Sequence, residues 1–431
     1  MLYNYAVMRV LIVNTSEMTG GAAIAANRLK SALNNNGVKA KMLVGDKVTD
    51  DITVVGLGHR LLRKWRFLYE RWCIFCHLHF SRNHLFEIDT AQCGSDITRL
   101  PEFKEADVIH LHWINQGMLS LRTIRRILES GKPVVWTMHD IWPATGICHC
   151  TLTCRHFEHQ CSNCRLLPGG GSRHDLSARV WHRKKNILSR YHIAFVACSK
   201  WLAGEARKST LLREQKVFSV PNTIDTHVFC RKDRTESRTL LGLPEGKKFI
   251  LFVSQRVTNE LKGMKFLVDA CHTLAKEHPE MLDNTAVLVL GGHSDEMAGA
   301  FDFPVYTLDY TSDVRRLVAI YNAADVFVLP SLSENLPNTI MEAMACGVPC
   351  VGFNVGGIPE EIDHRHNGYV AKYRDEADLA KGMYWVLYET DYEELSLNAQ
   401  RKVAQCYSQN AVAMKYIDIY NQAMAIKRYK L

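Results

Sequence analysis

The stretch SENLPNTIMEAMACGVPCV carries two acids, Glu334 and Glu342, with seven residues between them. Glu334 stands ahead of a helical run and Glu342 falls inside it, among Ile340, Met341, Ala343 and Met344. A carboxylate in apolar surroundings is costly unless something hydrogen-bonds it, and nothing in the run offers a partner. A ribose diol would satisfy Glu342 with two hydroxyl donors, and Glu334 would then reach the group beyond the phosphates. Backbone amides near Asn335, Leu336 and Asn338 would meet phosphate or sugar oxygens at the positive end of the helix. The alternatives are a charge stabilising the helix dipole for Glu334 and a partner on another segment for Glu342.

Other residues point to the same chemistry. In VSQRVTNELKGMKF, Arg256 and Lys262 follow a strand and precede a helix, where a planar fork and a point charge would hold a diphosphate. Gly20 and Gly21 open a helix of small residues after the first strand, so a ligand could approach backbone amides there. Taken alone, a tight strand-to-helix turn explains that pair better than a ligand does, because the spacing of the dinucleotide fingerprint is missing. His139 and Asp140 follow the strand PVVWTM and read as a pair facing a cleft. His110 and His112, at alternate positions of VIHLHWI, would share one face of a strand.

These residues need sheets to position them. The chain has 431 residues and is 47% hydrophobic, enough for two domains of roughly 200 residues each. Apolar β-branched runs alternate with helical patterns in both halves, the signature of parallel sheets covered by helices. The strands read as RVLIV, AKMLV, DVIHLH, PVVWTM and HIAFVAC, then FILFVS, TAVLVLG, DVFVLP and PCVGF. The expected organisation is α/β: a domain over residues 8–221, a linker over 222–247, a second domain over 248–410, and a helix over 411–431 that packs back on the first domain. Residues 1–7 read as an extension. In doubly wound sheets ligands sit beyond the carboxyl ends of the strands, so the chemistry is expected where two such domains face each other.

With those residues in view, SENLPNTIMEAMACGVPCVGFNVGGIPEEI resembles the nucleotide-sugar signature of retaining glycosyltransferases with the GT-B fold, in the large family that includes many bacterial polysaccharide enzymes. SQRVTNELKG resembles that family's phosphate-binding Arg and Lys, and TGGAA its first-domain glycine loop. The resemblance implies two Rossmann-like domains, Arg256 and Lys262 on the diphosphate, Glu334 on the donor sugar and Glu342 on the ribose. It also implies His139 beside the transferred sugar, with a front-face route that needs no strong nucleophile. The expected partners are a nucleotide diphosphate sugar and a glycan or lipid-linked acceptor, in surface polysaccharide synthesis. A nucleotide-sugar epimerase or a non-catalytic sugar-nucleotide binding protein would use the same cleft. No acidic pair suited to a divalent cation stands near the cleft strands, so no cofactor is expected for the chemistry.

An insertion over residues 148–171, CHCTLTCRHFEHQCSNCRLLPGGG, holds Cys148, Cys154, Cys161 and Cys164, with His149 and Cys150 spare. Four thiols with one Cys-x-x-Cys would suit a structural zinc, as would the resemblance to cysteine-bearing loops in some bacterial relatives. Reduced cysteines or a disulfide pair are the alternatives. The net charge of +8 gathers partly in HRLLRKWRFLYERWCIFCHLHF, His59 to Phe80, a basic segment of helical character with aromatic residues. Such a helix either lies on an anionic membrane surface or turns its aromatics into its own core. No nucleic-acid-binding motif, secretory leader or membrane-spanning run is found, so a cytoplasmic protein is expected, at most peripheral on the inner face of the membrane.

Overall fold

The computed structural model describes residues 7–428. Of the expected extension, residues 1–6 lie outside the described residues, as do residues 429–431 of the C-terminal helix. The chain divides into two compact units, one holding residues up to Thr223 together with those from Val412, the other holding Ile224–Ala411.

The first unit is built on a seven-stranded parallel sheet: β1 (Arg9–Val13), β2 (Lys39–Val44), β3 (Val54–Gly56), β4 (Val108–Leu111), β5 (Val134–Met138), β6 (Ala194–Ala197) and β7 (Lys216–Ser219). Their order is β3-β2-β1-β4-β5-β6-β7, so the direction of winding reverses between β1 and β4. The apolar runs are continuous because both faces are covered. Leu11 and Val13 of β1 join one core with Ile109, Trp136 and Phe195, while Val10 and Ile12 join another with Val135, Val196 and the helix α1 (Gly21–Asn35). Each such side chain contributes about 1.5–3 kcal/mol of burial. The helix Gln409–Arg428 completes the second core, with Val412, Tyr416 and Tyr420 packed beside those strands.

The second unit repeats the plan with β8 (Lys248–Arg256), β9 (Thr285–Gly292), β10 (Val305–Leu308), β11 (Val326–Leu329), β12 (Cys350–Phe353) and β13 (Gly368–Ala371), in the order β10-β9-β8-β11-β12-β13. Its winding reverses between β8 and β11. Nine strands coincide with the apolar runs of the sequence. The four others, β3, β7, β10 and β13, are the edge strands of the two sheets.

The stretch 222–247, expected to be a linker, is folded onto the second unit from Ile224. The Asp233 carboxylate caps a helix, Arg234–Leu241, by accepting from the Glu236 amide at 2.8 Å. Arg234 and Arg238 both reach Asp325 at 2.8 Å, and Arg231 grips Glu393 through two bonds of 2.6 and 2.7 Å. Three arginines of this stretch, Arg231, Arg234 and Arg238, are thus paired with carboxylates of the second unit.

The basic aromatic segment forms α2 (Arg60–His77) in the first unit. Its buried residues are Glu70, Arg71 and Ile74, whereas Leu61 is 77% exposed, Trp65 70% and Trp72 57%.

Candidate active site

Three loops converge at the carboxyl ends of β8 and β11, where the second sheet reverses its winding. Arg256 closes β8, exposed and registered against Gly292 of β9. The chain then turns through Asn259, whose side chain accepts from the Leu261 amide at 3.1 Å, into the short helix Glu260–Lys262. Gly263 ends that turn with φ of 76°, and a Cβ there would stand 1.8 Å from the Pro330 carbonyl oxygen. The Leu332 amide donates to the Leu261 carbonyl at 2.8 Å, so the Lys262 turn is fastened to the segment leaving β11.

That segment delivers Glu334. Its Oε1 accepts from Lys262 Nζ at 2.5 Å and from Ser331 Oγ at 3.0 Å, and its side chain is only 11% exposed. On the other side, Gly356 has φ of 58°, and a Cβ there would lie 1.7 Å from the Glu334 carbonyl oxygen. A side chain at either glycine would push the acid and the lysine out of place. The loop continues through half-buried Asn335 and buried Leu336 into the helix Asn338–Ala345, which no side chain caps at Pro337. Glu342 is buried in this helix, and the partner its burial requires is the Tyr321 hydroxyl, which donates to Oε2 at 2.7 Å.

Glu361, which the sequence reading missed, is fully buried, and among the described residues neither of its oxygens has a hydrogen-bond partner. Burial, then the charges of Glu334 and Glu360, push its pKa well above the carboxylate range and favour the neutral acid. The only signal in the sequence was a second acid after the Pro in GGIPEEI.

In the first unit, Gly20, with φ of 88°, precedes α1 and no side chain caps the helix there. His139, just past β5, shares a hydrogen bond at 2.9 Å with His112, and its Nδ1 lies 3.5 Å from Cys198 Sγ. Burial holds the His139 ring down to about 4, so it is neutral at pH 7. His110 and His112 do share a face, with ring centroids 4.3 Å apart, but His110 is spent on Tyr420 and Thr137, both at 2.7 Å.

Two family profiles match the chain: "Glycosyltransferase Family 4" over residues 19–228 and "Glycosyl transferases group 1" over residues 247–389. The chain is similar to the family 4 glycosyltransferases over its first half and to the group 1 glycosyltransferases over its second. Their GT-B fold is also that of the solved structures it resembles. Sucrose-phosphate synthase from Thermosynechococcus elongatus superimposes with a TM-score of 0.67 at 17% identity, covering 97% of this chain and all of that one. Anabaena Alr3699/HepE, crystallised with UDP-glucose, gives 0.61 at 17% identity over 98% of this chain and all of that one. D-inositol 3-phosphate glycosyltransferase from Saccharomonospora viridis is 29% identical over 226 residues, 49% of this chain. The matched region spans 51% of that relative's length.

Asp140, the expected neighbour of His139, has other hydrogen-bond partners. The Asp140 carboxylate is turned toward the cysteine-bearing loop, where it accepts from Trp113 Nε1 at 2.8 Å, from the Trp142 amide at 2.8 Å and from His149 Nδ1 at 2.7 Å. His149, considered above only as a spare metal ligand, bridges to Asp89 through Nε2 at 2.9 Å, and Asp89 pairs in turn with Arg71 of α2. Burial opposes the charge on His149, but the two carboxylates override it and raise the imidazole to about 10.

The four cysteines named as zinc ligands lie near one another in the loop, the Cys148, Cys161 and Cys164 thiols each feeling the charge of their neighbours. Among the described residues no three His, Cys, Asp or Glu side chains are placed to hold a metal ion, and every cysteine is free. Cys161 is buried and takes a hydrogen bond from the Gly146 amide at 3.2 Å, and burial raises its thiol to about 11. Burial also drives the Cys148 and Cys164 thiols upward, so both stay protonated at neutral pH. The loop is held by Lys184, missed in the sequence, which is buried over the Trp142 ring at 3.3 Å and donates to the Trp142 and Thr145 carbonyls at 2.6 and 3.0 Å.

Proposed function

We propose that the enzyme transfers a sugar from a nucleoside diphosphate donor to a glycan or lipid-linked acceptor with retention at the anomeric carbon, in the assembly of a surface polysaccharide. The observation that carries this reading is the Lys262–Glu334 pair at the carboxyl ends of β8 and β11, with Arg256 beside it on β8 and Glu342 on the following helix. Arg256 and Lys262 take the diphosphate, Glu342 takes the ribose with Tyr321 fixing its other oxygen, and Glu334 orients both Lys262 and the donor sugar. The bond from the anomeric carbon to the phosphate oxygen breaks as the acceptor oxygen bonds on the same face, and the acceptor proton passes to the departing phosphate. Catalysis is then positioning plus compensation of leaving-group charge by the two cations. His139, neutral and hydrogen-bonded to His112, acts beside the transferred sugar as a hydrogen-bonding group rather than a strong base.

Incubation with a panel of nucleotide sugars and a lipid extract tests the proposal. Release of nucleoside diphosphate that depends on the extract is expected. An isomerised sugar nucleotide, or binding without turnover, would overturn it.

We also propose that α2 holds the enzyme peripherally at an anionic membrane surface. No helix among the described residues is long and apolar enough to cross a membrane. The exposed Leu61, Trp65, Leu68 and Trp72 recur at helical spacing along one stripe of α2, flanked by the exposed Arg60 and Lys64. Vesicles containing phosphatidylglycerol should therefore sediment the enzyme, at about 1 kcal/mol per basic residue near the surface, and salt should weaken that binding. Replacing Trp65 by Ser should weaken it further. Equal binding to neutral vesicles, or no effect of salt, would reject the electrostatic account.

A further inference from the structure

The basic edge of that stripe on α2 also borders a cavity. Arg60, Arg63 and Lys64 recur at i, i+3 and i+4 and line a cavity of about 370 Å³ together with Thr15, Asp46 and Gly117. Thr15 and Asp46 stand just past β1 and β2, and Gly117 lies in the loop that follows β4, at the carboxyl edge of the first sheet and around its reversal of winding. Both the size and the place suit a small-molecule site.

The charges in the cavity do not cancel. Arg63 is spoken for: one nitrogen pairs with Asp46, and another donates to the Leu57 carbonyl and to the Gly58 carbonyl at 3.2 Å. Arg60 and Lys64 are exposed, and among the described residues neither has a carboxylate partner. Three cations against one carboxylate leave a surplus of two positive charges, matching a phosphate monoester, which carries close to two negative charges at neutral pH. A planar fork and a point charge on one rigid helix are a phosphate-binding combination.

We infer that this cavity is a phosphoryl subsite for the acceptor. Arg60 and Lys64 hold the phosphate, and Arg63, clamped on Asp46, fixes the wall. The inference rests on the transferase reading for the word acceptor, whereas the anion site itself does not. The phosphoryl group belongs either to a soluble sugar phosphate or to a polyprenyl phosphate whose chain would run toward the exposed stripe of the same helix.

The test occupies the nucleotide site with saturating UDP and then compares ligands. In the soluble arm, calorimetry measures glucose 1-phosphate against glucose. In the lipid arm, phosphatidylcholine vesicles carry either polyprenyl phosphate or an equal charge of phosphatidylglycerol. Wild type should prefer the phosphate-bearing member of at least one pair, and the Arg60→Gln/Lys64→Gln variant should bind that member about tenfold or more weakly, as expected for loss of charged hydrogen bonds. Preference in the first arm identifies a soluble acceptor and in the second a lipid-linked one. No preference in either arm, or a variant indistinguishable from wild type, overturns the inference. Failure of UDP itself to bind would count against the transferase reading instead, and the anion comparisons would then be made without it.

Discussion

Glutamine in place of His149 is expected to cost about 3–5 kcal/mol of stability, the range for removing one partner of a buried ion pair. The imidazolium sits between Asp89, 1% exposed, and Asp140, and Arg71 pairs with Asp89 beside it. Neutral glutamine would leave two carboxylates facing one guanidinium. The sign with pH is fixed by the shift. His149 is raised to about 10 in the folded protein, so its stabilising charge is fully present below the unfolded value of about 6.5 and lost as pH rises through 10. The difference between wild type and variant should therefore be largest near pH 6 and shrink toward pH 10. Denaturant titration followed by tryptophan fluorescence reads it, because every tryptophan except Trp385 lies in the first unit. A penalty that stays constant across that range would show that the ring is not charged.

Replacing Lys262 by methionine is expected to lower turnover by about a hundredfold to a thousandfold, the usual loss when one donor to developing charge is removed. Arginine should not rescue it, because the 2.5 Å contact with Glu334 fits a compact ammonium rather than a fork. The two acids should then separate. Glu342→Gln should weaken binding of free UDP by about 1–3 kcal/mol, since UDP contains the ribose that this acid is proposed to hold. Glu334→Gln should spare UDP and reduce turnover, because its proposed partner is the sugar that UDP lacks. Titration calorimetry with UDP decides between the roles. Equal loss in both variants, or none in Glu342→Gln, would show the assignment to be wrong.

What the sequence made legible follows the depth of burial. Central strands such as FILFVS and DVFVLP are covered on both faces, so their composition alone marks them. The missed β7 and β10 are mostly half-buried edge strands, and an apolar run is not required of them. Lys262, Glu334 and Glu342 were legible because they follow buried strands at short range. Asp140 was not, because adjacency to His139 in the chain says nothing about which way each side chain turns. Its partner His149 comes nine residues later, and the next member of the cluster, Asp89, sits 60 residues from His149. In α2 the sequence shows both charge and aromatics without saying which is inside. The answer hangs on Arg71, a basic residue drawn inward by Asp89, which leaves the Trp65 and Trp72 side to solvent.

The helix Gln409–Arg428 has a consequence for how the protein is made. Tyr420, hydrogen-bonded to His110 across 310 residues of chain, closes one face of the first sheet. During synthesis that sheet must wait for the whole second unit to be translated, roughly ten to forty seconds at the usual pace of a ribosome. For that interval Val10, Ile12 and Val135 have α1 over them but not the residues that complete their core. The first half of the polypeptide is thus the last to finish folding, and a nascent chain stalled within the second half exposes an apolar face of the first to chaperones.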